Sequence, residues 1–297
     1  MEKKPFVSII IPVYNNEAGL VKALQCIKAQ SYPKERFEII VVDNGSDYSP
    51  RKIVNEYNAK FLLEGVYLQS PYSARNRGLE MAIGDVIVLL DTTCAPVSDW
   101  LEQGVLAIES GCDLVGGSVV FDVTEKSSLG DMYDSLVNIK MKESVLIRSV
   151  AKTTNLFIHK RVFEHIGRFP EGIRSGGDVR WTRKATSAGF KLCFSENAKV
   201  VMKTRGLRQL ISKTYRVSKG MPAIWKEQGS FHSSLIKKGI LFFLPPNPVQ
   251  LIKAIDANKV NFMRKRIFEL LLIGYLLRIV AGCGVWVGVY MIKRNDQ

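Results

Sequence analysis

The stretch VIVLLDTTCAP, residues 86–96, places one carboxylate, Asp91, directly after a run of apolar residues. Such a run is typical of a buried strand, so Asp91 is expected at the strand end, where α/β sheets bind ligands. A second acid two residues later would complete a metal site, but Thr93 stands there. Because Thr brings no charge to Mg²⁺ or Mn²⁺, we predict a weakened cation site with Asp91 as its metal ligand. The alternative is that Arg75 and the basic region after residue 203 supply the positive charge.

A second candidate carboxylate, Asp178, follows Gly176 and Gly177 far downstream. Two glycines allow the backbone to approach a substrate closely, and an acid after them could act as a general base. Asp91 could then face a metal or a metal-bound diphosphate while Asp178 accepts a proton. Spacing alone leaves the alternative that each acid only caps a helix.

Two further side chains have a candidate role in binding. Arg75 lies where a predicted helix begins, and its guanidinium could bind a phosphate through two hydrogen bonds, or lie on a solvated helix face. Tyr14, two residues after Pro12, could stack on a base or merely cover the first strand. The three histidines show no metal-ligand spacing.

Hydrophobic periodicity predicts the elements that would position these residues. Short connections between alternating strands and helices indicate an α/β fold with a mainly parallel sheet and helices on both faces. Since ligands bind beyond the carboxyl ends of such strands, the residues after each strand should gather at one edge. The predicted strands are 6–14, 37–46, 59–65 and 85–91, and the predicted helices are 16–31, 49–59 and 73–84.

The pattern loosens after residue 115. We predict strands at 113–121 and 196–203, and a strand, a short helix and a turn at 153–171. Within 176–192 we predict a helix that follows Asp178 and ends at Gly189. The polar segment 124–152 is expected to be a mobile connection or lid.

The last third of the chain has a different composition. Residues 201–297 contain 17 Lys and Arg against 4 Asp and Glu, so they carry +13 of the net charge of +14. The same region is as apolar as it is basic, which favours an anionic membrane surface over nucleic acid as its partner. We therefore divide the chain into a domain at 1–205, with halves 1–115 and 116–205, and a membrane-associated helical region at 206–297.

The segment 267–292 is apolar except for Glu269 and Arg278. It is long enough to cross a bilayer, which needs about 20 residues. Arg278 near its middle favours a tilted, interfacial or paired helix, and a buried core helix is the remaining alternative. Basic residues on both flanks match headgroup anchors, so we predict membrane contact, either peripheral or by a single pass.

The five cysteines are scattered at 26, 94, 112, 193 and 283, without a C-x-x-C pair. This spacing predicts reduced thiols in a cytosolic protein. No G-x-G-x-x-G follows the first strand, which argues against a nicotinamide-dependent enzyme.

An ordered set of motifs over roughly residues 7–220 resembles the family 2 glycosyltransferases, which have the GT-A fold. Each motif alone is weak, but their order and spacing together are specific. The motifs are VSIIIPVYNN at 7–16, IIVVDNGSD at 39–47, SARNRGLEMAIGDVIVLLD at 73–91, SDWLE at 98–102 and SGGDVRWTRKATSAGFKL at 175–192.

The resemblance implies an inverting transfer from a nucleotide-diphosphate sugar, with a UDP-sugar expected, and usually Mn²⁺ or Mg²⁺. Asp178 matches the catalytic acid and Asp91 the first acid of the family's D-x-D. Thr93 replaces the second acid, and Met202 lies near a position where many relatives have histidine. The implied donor-site residues are Pro12 and Tyr14 for the nucleoside pocket, Asp43 and Asn44 for base and ribose, and Arg75 near the diphosphate.

The glycine before Asp178 and the apolar C-terminal region resemble bacterial enzymes of surface-polysaccharide assembly. A lipid-linked or polysaccharide acceptor at the cytoplasmic face of the membrane is therefore expected. The alternative is a catalytically silent relative that binds nucleotide as a scaffold, which Thr93 and Met202 favour and the retained Asp91 and Asp178 oppose.

Overall fold

The computed structural model describes residues 4–227, 229, 235, 242 and 244–295. Two compact units make up the chain. The first consists of Met1–Val120 and Ile139–Lys203, and the second of Phe121–Asn138 and Thr204–Gln297. The predicted domain 1–205 is thus interrupted, because Phe121–Asn138 belongs to the second unit.

Strands and helices alternate in the first part of the chain, and helices dominate the last part. In chain order the elements are β1 (Val7–Val13), α1 (Glu17–Lys28), β2 (Phe37–Asp43), α2 (Arg51–Glu56), β3 (Lys60–Leu63), α3 (Pro71–Met81), β4 (Val86–Leu90), β5 (Cys94–Pro96), α4 (Trp100–Glu109), β6 (Leu114–Phe121), α5 (Leu129–Val137), α6 (Met141–Arg148), β7 (Asn155–His159), α7 (Lys160–Ile166), α8 (Gly177–Ser187), β8 (Leu192–Met202), α9 (Leu207–Glu227), α10 (Pro248–Ala257) and α11 (Ile267–Asn295).

The first unit is built on one eight-stranded sheet, in the order β3-β2-β1-β4-β7-β6-β8-β5. The four strands β3, β2, β1 and β4 are parallel. Ile9, Ile10 and Ile11 of β1 are fully buried, as expected for a strand covered on both faces. The predicted alternation of strands and helices is confirmed here, and it brings the carboxyl ends of β1, β2 and β4 to one edge.

The other strands extend this sheet with antiparallel pairs. β7 lies between β4 and β6 and runs antiparallel to both, and β5 is antiparallel to β8. The buried Asn155 at the start of β7 donates hydrogen bonds to the carbonyls of Ser118 and Ala198 and accepts one from Trp100 Nε1. This amide therefore joins β6, β7, β8 and α4.

The segment 124–152, predicted to be a mobile connection, instead contains α5 and α6. Met132 of α5 is buried in a cluster with Leu270, which lies far downstream in the second unit. Val145 of α6 is buried in the core of the first unit. The prediction was wrong because the apolar partners of these helices are distant in sequence, so the local polar composition concealed them.

The second unit is helical, and α9 packs along α11. The long apolar C-terminal helix predicted over 267–292 is confirmed as α11. The stretch Asn261–Ile292 is long and apolar enough to cross a membrane, although a buried helix of a soluble protein can have the same length and composition.

A disulfide joins Cys112, before β6, to Cys193 in β8. The expectation of five reduced cysteines is therefore wrong for this pair. Sequence spacing could not reveal the pairing, because the two residues are 81 positions apart and meet only when β6 and β8 lie in one sheet.

Replacing both Cys112 and Cys193 by alanine should lower the free energy of unfolding by roughly 2–4 kcal/mol, because the unfolded chain regains the freedom of a long closed loop. Urea denaturation of the variant and the unaltered chain measures this difference. Cys26→Ala, at a cysteine outside the disulfide, is the matched control and should change little. Equal midpoints for the double variant and the unaltered chain would contradict the expectation.

Candidate active site

The ends of β1 and β2 lie side by side and carry four of the predicted site residues. Val13 pairs with Asp43 in the parallel register, and the Asn44 amide donates to the Val13 carbonyl at 2.8 Å. Tyr14 and Asn44 therefore follow directly from adjacent strand ends. Pro12, within β1, is half-buried.

Asp43 and Asn44 are both buried, at 4% and 3% exposure. Asp43 Oδ1 accepts from the Ser46 amide at 3.0 Å, which holds the turn after β2. Asn44 Oδ1 is buried and has no hydrogen-bond partner in the described part of the chain. A buried acceptor left in this state carries an energetic cost that a ligand donor could remove.

Tyr14 is 41% exposed, and its hydroxyl accepts from Gln69 Nε2 at 2.8 Å. Gln69 also donates its backbone amide to the Asn44 carbonyl. Because Gln69 immediately precedes Ser70, the N-cap of α3, it connects the ends of β1 and β2 to this helix.

Asp91 directly follows β4 and contacts two side chains. Arg75 of α3 donates from Nη2 to Asp91 Oδ1 at 2.5 Å, and Thr154 Oγ1 donates to Oδ2 at 2.9 Å. Arg75 is only 2% exposed, whereas the Asp91 side chain is 32% exposed. The carboxylate is therefore held in place and remains partly open to solvent.

Arg75 was predicted to bind a phosphate through two hydrogen bonds, but its guanidinium already has partners in the protein. Its Nη1 donates to the Pro71 carbonyl and its Nη2 to Asp91. Its Nε is buried without a partner among the described residues. At 2% exposure the guanidinium is a buried counter-charge to Asp91.

Asp178 lies in the first turn of α8, after Gly176 in a left-handed conformation at φ 80°. The Tyr72 hydroxyl of α3 donates to Asp178 Oδ1 at 3.2 Å. Burial raises the pKa of the Tyr72 phenol above its usual range, and the charge of Asp178 raises it further, whereas Arg75 acts in the opposite sense. Tyr72 therefore keeps its proton and remains a donor.

The loop that leads to Asp178 is also fastened to α3. Asn76 donates to the Phe169 carbonyl at 2.9 Å and accepts from its amide at 3.0 Å. Ser73 accepts from the Gly172 amide, and Ser70 donates to the Ile173 carbonyl. One buried polar face of α3 thus fixes both this loop and the end of β4.

Asp91 and Asp178 both contact side chains of α3: Asp91 contacts Arg75, and Asp178 contacts Tyr72. The Arg75 guanidinium lies 5.9 Å from the centre of the Tyr72 ring. Tyr72, Gln69 and Thr154 are not among the site residues predicted from the sequence. Tyr72 could have been found from its place one residue before the SARN motif, but Thr154 could not, because its approach to Asp91 depends on the antiparallel register of β7 and β4.

The residues around Thr93 provide few metal ligands. Thr93 is half-buried, and its carbonyl accepts from the Lys203 amide at 3.0 Å. Met202 is buried and pairs with Cys94 across β8 and β5. Among the described residues, no group of three or more His, Cys, Asp or Glu side chains could hold an ion. Because both oxygens of Asp91 already accept hydrogen bonds, the side chains alone fit a divalent cation poorly.

Gly177 is required by the ring of Tyr72. A Cβ at this position would lie 2.8–2.9 Å from the ring atoms, and the ring is itself buried. Gly177→Ala should therefore lower the free energy of unfolding by roughly 1–3 kcal/mol through overpacking. In a Tyr72→Ser background the same change should be neutral or stabilising, and urea denaturation of the four proteins measures this coupling.

Gly220→Ala is the matched control, since this glycine lies inside α9 with open space where a Cβ would be. It should stabilise by up to about 1 kcal/mol, which is the usual helix preference for alanine. Equal effects of Gly177→Ala with and without the Tyr72 ring would contradict the packing described here.

Comparison with known proteins identifies the family of this chain. Residues 8–163 match the sequence model of the family described as glycosyl transferase family 2. The chain is 36% identical to the glycosyltransferase AglE of Haloferax volcanii over 302 residues, which cover 99% of this chain and 98% of that protein. It is 33% identical over 187 residues to the poly(ribitol-phosphate) β-N-acetylglucosaminyltransferase TarS of Staphylococcus aureus, covering 60% of this chain and 32% of TarS.

Solved structures show the same fold. A mannosyltransferase from Pyrobaculum calidifontis, in complex with GDP-Man and Mn²⁺, has a TM-score of 0.58 at 19% identity, with 98% of this chain and 86% of that chain covered. S. aureus TarS 1–349 has a TM-score of 0.55 at 18% identity, with 98% and 92% covered. The chain therefore belongs to glycosyl transferase family 2 and is a glycosyltransferase with a GT-A fold.

Proposed function

We propose that this glycosyltransferase moves a sugar from a nucleotide-diphosphate sugar, with UDP as the expected nucleotide, to a lipid-linked or polysaccharide acceptor, with inversion at the anomeric carbon. One observation carries the proposal: a single helix, α3, holds Asp91 through Arg75 and Asp178 through Tyr72. Two carboxylates held by one rigid element can act on the same substrate, because their separation is fixed.

In the proposed reaction Asp178 is the general base. Its carboxylate accepts the proton of the acceptor hydroxyl while that oxygen bonds to the anomeric carbon. The bond from that carbon to the donor diphosphate breaks, and the diphosphate leaves with the electron pair. The Tyr72 hydroxyl holds the Asp178 carboxylate by its hydrogen bond, so the base is oriented before the acceptor arrives.

The proposed donor site begins at the ends of β1 and β2. Tyr14 is exposed enough to stack on the base, beside Pro12, and Asp43 and Asn44 contact base and ribose. Asn44 Oδ1, which has no partner among the described residues, supports this assignment, because a hydroxyl or N–H of the nucleoside would satisfy it. Arg75 acts at the diphosphate indirectly, by fixing Asp91.

A divalent cation, Mn²⁺ or Mg²⁺, would have Asp91 as its protein ligand, with the donor diphosphate supplying further oxygens. When bound, it would neutralise charge on the leaving diphosphate. The Mn²⁺ and GDP-Man named with the Pyrobaculum mannosyltransferase support metal use in this fold, and they make GDP the first nucleotide to test against UDP.

The acceptor and location are proposed from the relatives and the C-terminal region. The poly(ribitol-phosphate) in the name of TarS supports a polymeric acceptor, and the acceptor proposed here is a polysaccharide of surface-polysaccharide synthesis, as in bacteria. The apolar α11 and the net +13 of residues 201–297 support association with the cytoplasmic face of an anionic membrane, with no nucleic-acid partner. Turnover of a sugar donor by the chain decides between this enzymatic function and the scaffold alternative.

Asp178→Asn should reduce donor turnover by roughly 10²–10⁴-fold, because the amide cannot accept the proton. A panel of UDP-, GDP- and dTDP-sugars, with hydrolysis and transfer followed by release of the nucleotide, measures this effect. Asp99→Asn, at an exposed acid before α4, is the matched control and should keep full activity. If the unaltered chain binds nucleotide but turns over no donor, the proposed enzymatic function is wrong and the scaffold function takes its place.

Thr93→Asp should lower the Mn²⁺ concentration for half-maximal turnover roughly tenfold, because it restores a second carboxylate beside Asp91. Thr93→Asn has nearly the same size without the charge and should leave the metal dependence unchanged. Titration of activity with Mn²⁺ after treatment with a chelator gives the comparison. Identical titrations for the Asp and Asn variants would show that position 93 does not face the cation.

A further inference from the structure

One face of α11 is apolar and exposed along nearly its whole length. The exposed side chains form two groups, at 268–276 and 283–291, that lie on one helix face, and Ile279 and Val280 between them are half-buried. Phe268 near one end is 70% exposed, and Tyr290 near the other is 65% exposed. The members of this α11 stripe are Phe268, Leu272, Tyr275, Leu276, Cys283, Trp286, Val287, Tyr290 and Met291.

The opposite face of α11 is closely packed against α9. A Cβ on Gly284 would lie 2.2 Å from Ser218 Oγ, and one on Gly288 would lie 2.2 Å from the Lys219 carbonyl oxygen. The small residues of α11 thus let the α9 backbone come into direct contact. By contrast, the α11 stripe remains uncovered by the described part of the chain.

The contacts along this pair fix its direction. Leu210, near the start of α9, packs with Ile273 and Leu277. Trp225, near the end of α9, packs with Val285 and Val289. Both helices therefore run the same way, and the middle of α9 lies beside the middle of α11.

The middle of α9 is strongly basic. Lys213, Arg216 and Lys219 lie between the two contact points just described. Arg278, in the middle of α11 itself, donates to the carbonyls of Leu244 and Pro245. A crossing by α11 would therefore bring four cationic side chains to the depth of the hydrocarbon, where such groups are disfavoured.

We infer that the α11 stripe docks on a bilayer surface, with α11 lying in the plane of the interface and not crossing it. This orientation buries the apolar stripe at the level of the acyl chains and keeps the α9 cations out of the hydrocarbon, on the water side of α11. Because residues 201–297 carry a net charge of +13, we expect this surface to bind anionic lipid more strongly than neutral lipid. The inference rests on the membrane part of the proposed function and is independent of turnover.

Flotation of the purified full chain with vesicles tests the surface. The chain should float with phosphatidylcholine vesicles containing phosphatidylglycerol and less with phosphatidylcholine alone. Leu272→Glu with Val287→Glu, on the stripe, should lower the bound fraction roughly tenfold or more. Leu146→Glu, at an apolar residue of α6 that is 63% exposed, is the matched control and should float normally.

Thiol labelling of sealed vesicles tests the orientation. Asn261→Cys and Arg294→Cys place exposed thiols at the two ends of the apolar helix, in a chain with Cys26 and Cys283 changed to alanine. Both variants are added to preformed vesicles and treated with a membrane-impermeant maleimide. Equal labelling without detergent is the expected result, because both ends stay on one side.

Two outcomes would overturn the inference. Labelling of position 294 only after detergent would show that the helix crosses the bilayer. Absence of flotation, with a dimer in solution that the stripe variant dissociates, would assign the stripe to a second copy of the chain. Donor turnover by the same samples in detergent separates either result from failure of the proposed enzymatic function.

Discussion

The buried guanidinium of Arg75 is the constraint on which the rest of the site depends. At 2% exposure it has left water almost entirely, and an unpaired cation at that depth would be strongly destabilising. Asp91 supplies the partner of this cation, and Thr154 holds the other carboxylate oxygen. The end of β4, the middle of α3 and the start of β7 are consequently locked to one another by charge as well as by packing.

α3 extends that constraint to the distant acid. Its polar side chains face inward and make hydrogen bonds to the loop before α8, so Asp178 is delivered by an irregular segment that is nevertheless held at several points. Catalytic geometry tolerates small errors poorly, and a loop fastened to a helix is a better support than a free one. The bulky Tyr72 fits only because the residue before Asp178 has no side chain.

The sequence made the parallel half of the sheet predictable, because apolar strands and amphipathic helices alternate clearly over its first hundred residues. It also indicated where Tyr14, Asp43 and Asp91 lie, since strand ends of a parallel sheet share one edge. The strands β6, β7 and β8 were predicted, but their antiparallel pairing, α5 and the disulfide were not predictable, since each depends on partners far along the chain. The contact between Tyr72 and Asp178 spans 106 residues and left no local signal.

The bond between Cys112 and Cys193 closes a covalent ring around the excursion of the chain into the second unit. Phe121–Asn138 leaves the first unit and returns to it within that ring. A protease that cuts once inside this excursion would therefore release no fragment. Under non-reducing conditions the nicked chain would migrate as one species, and only a reductant would separate its two pieces.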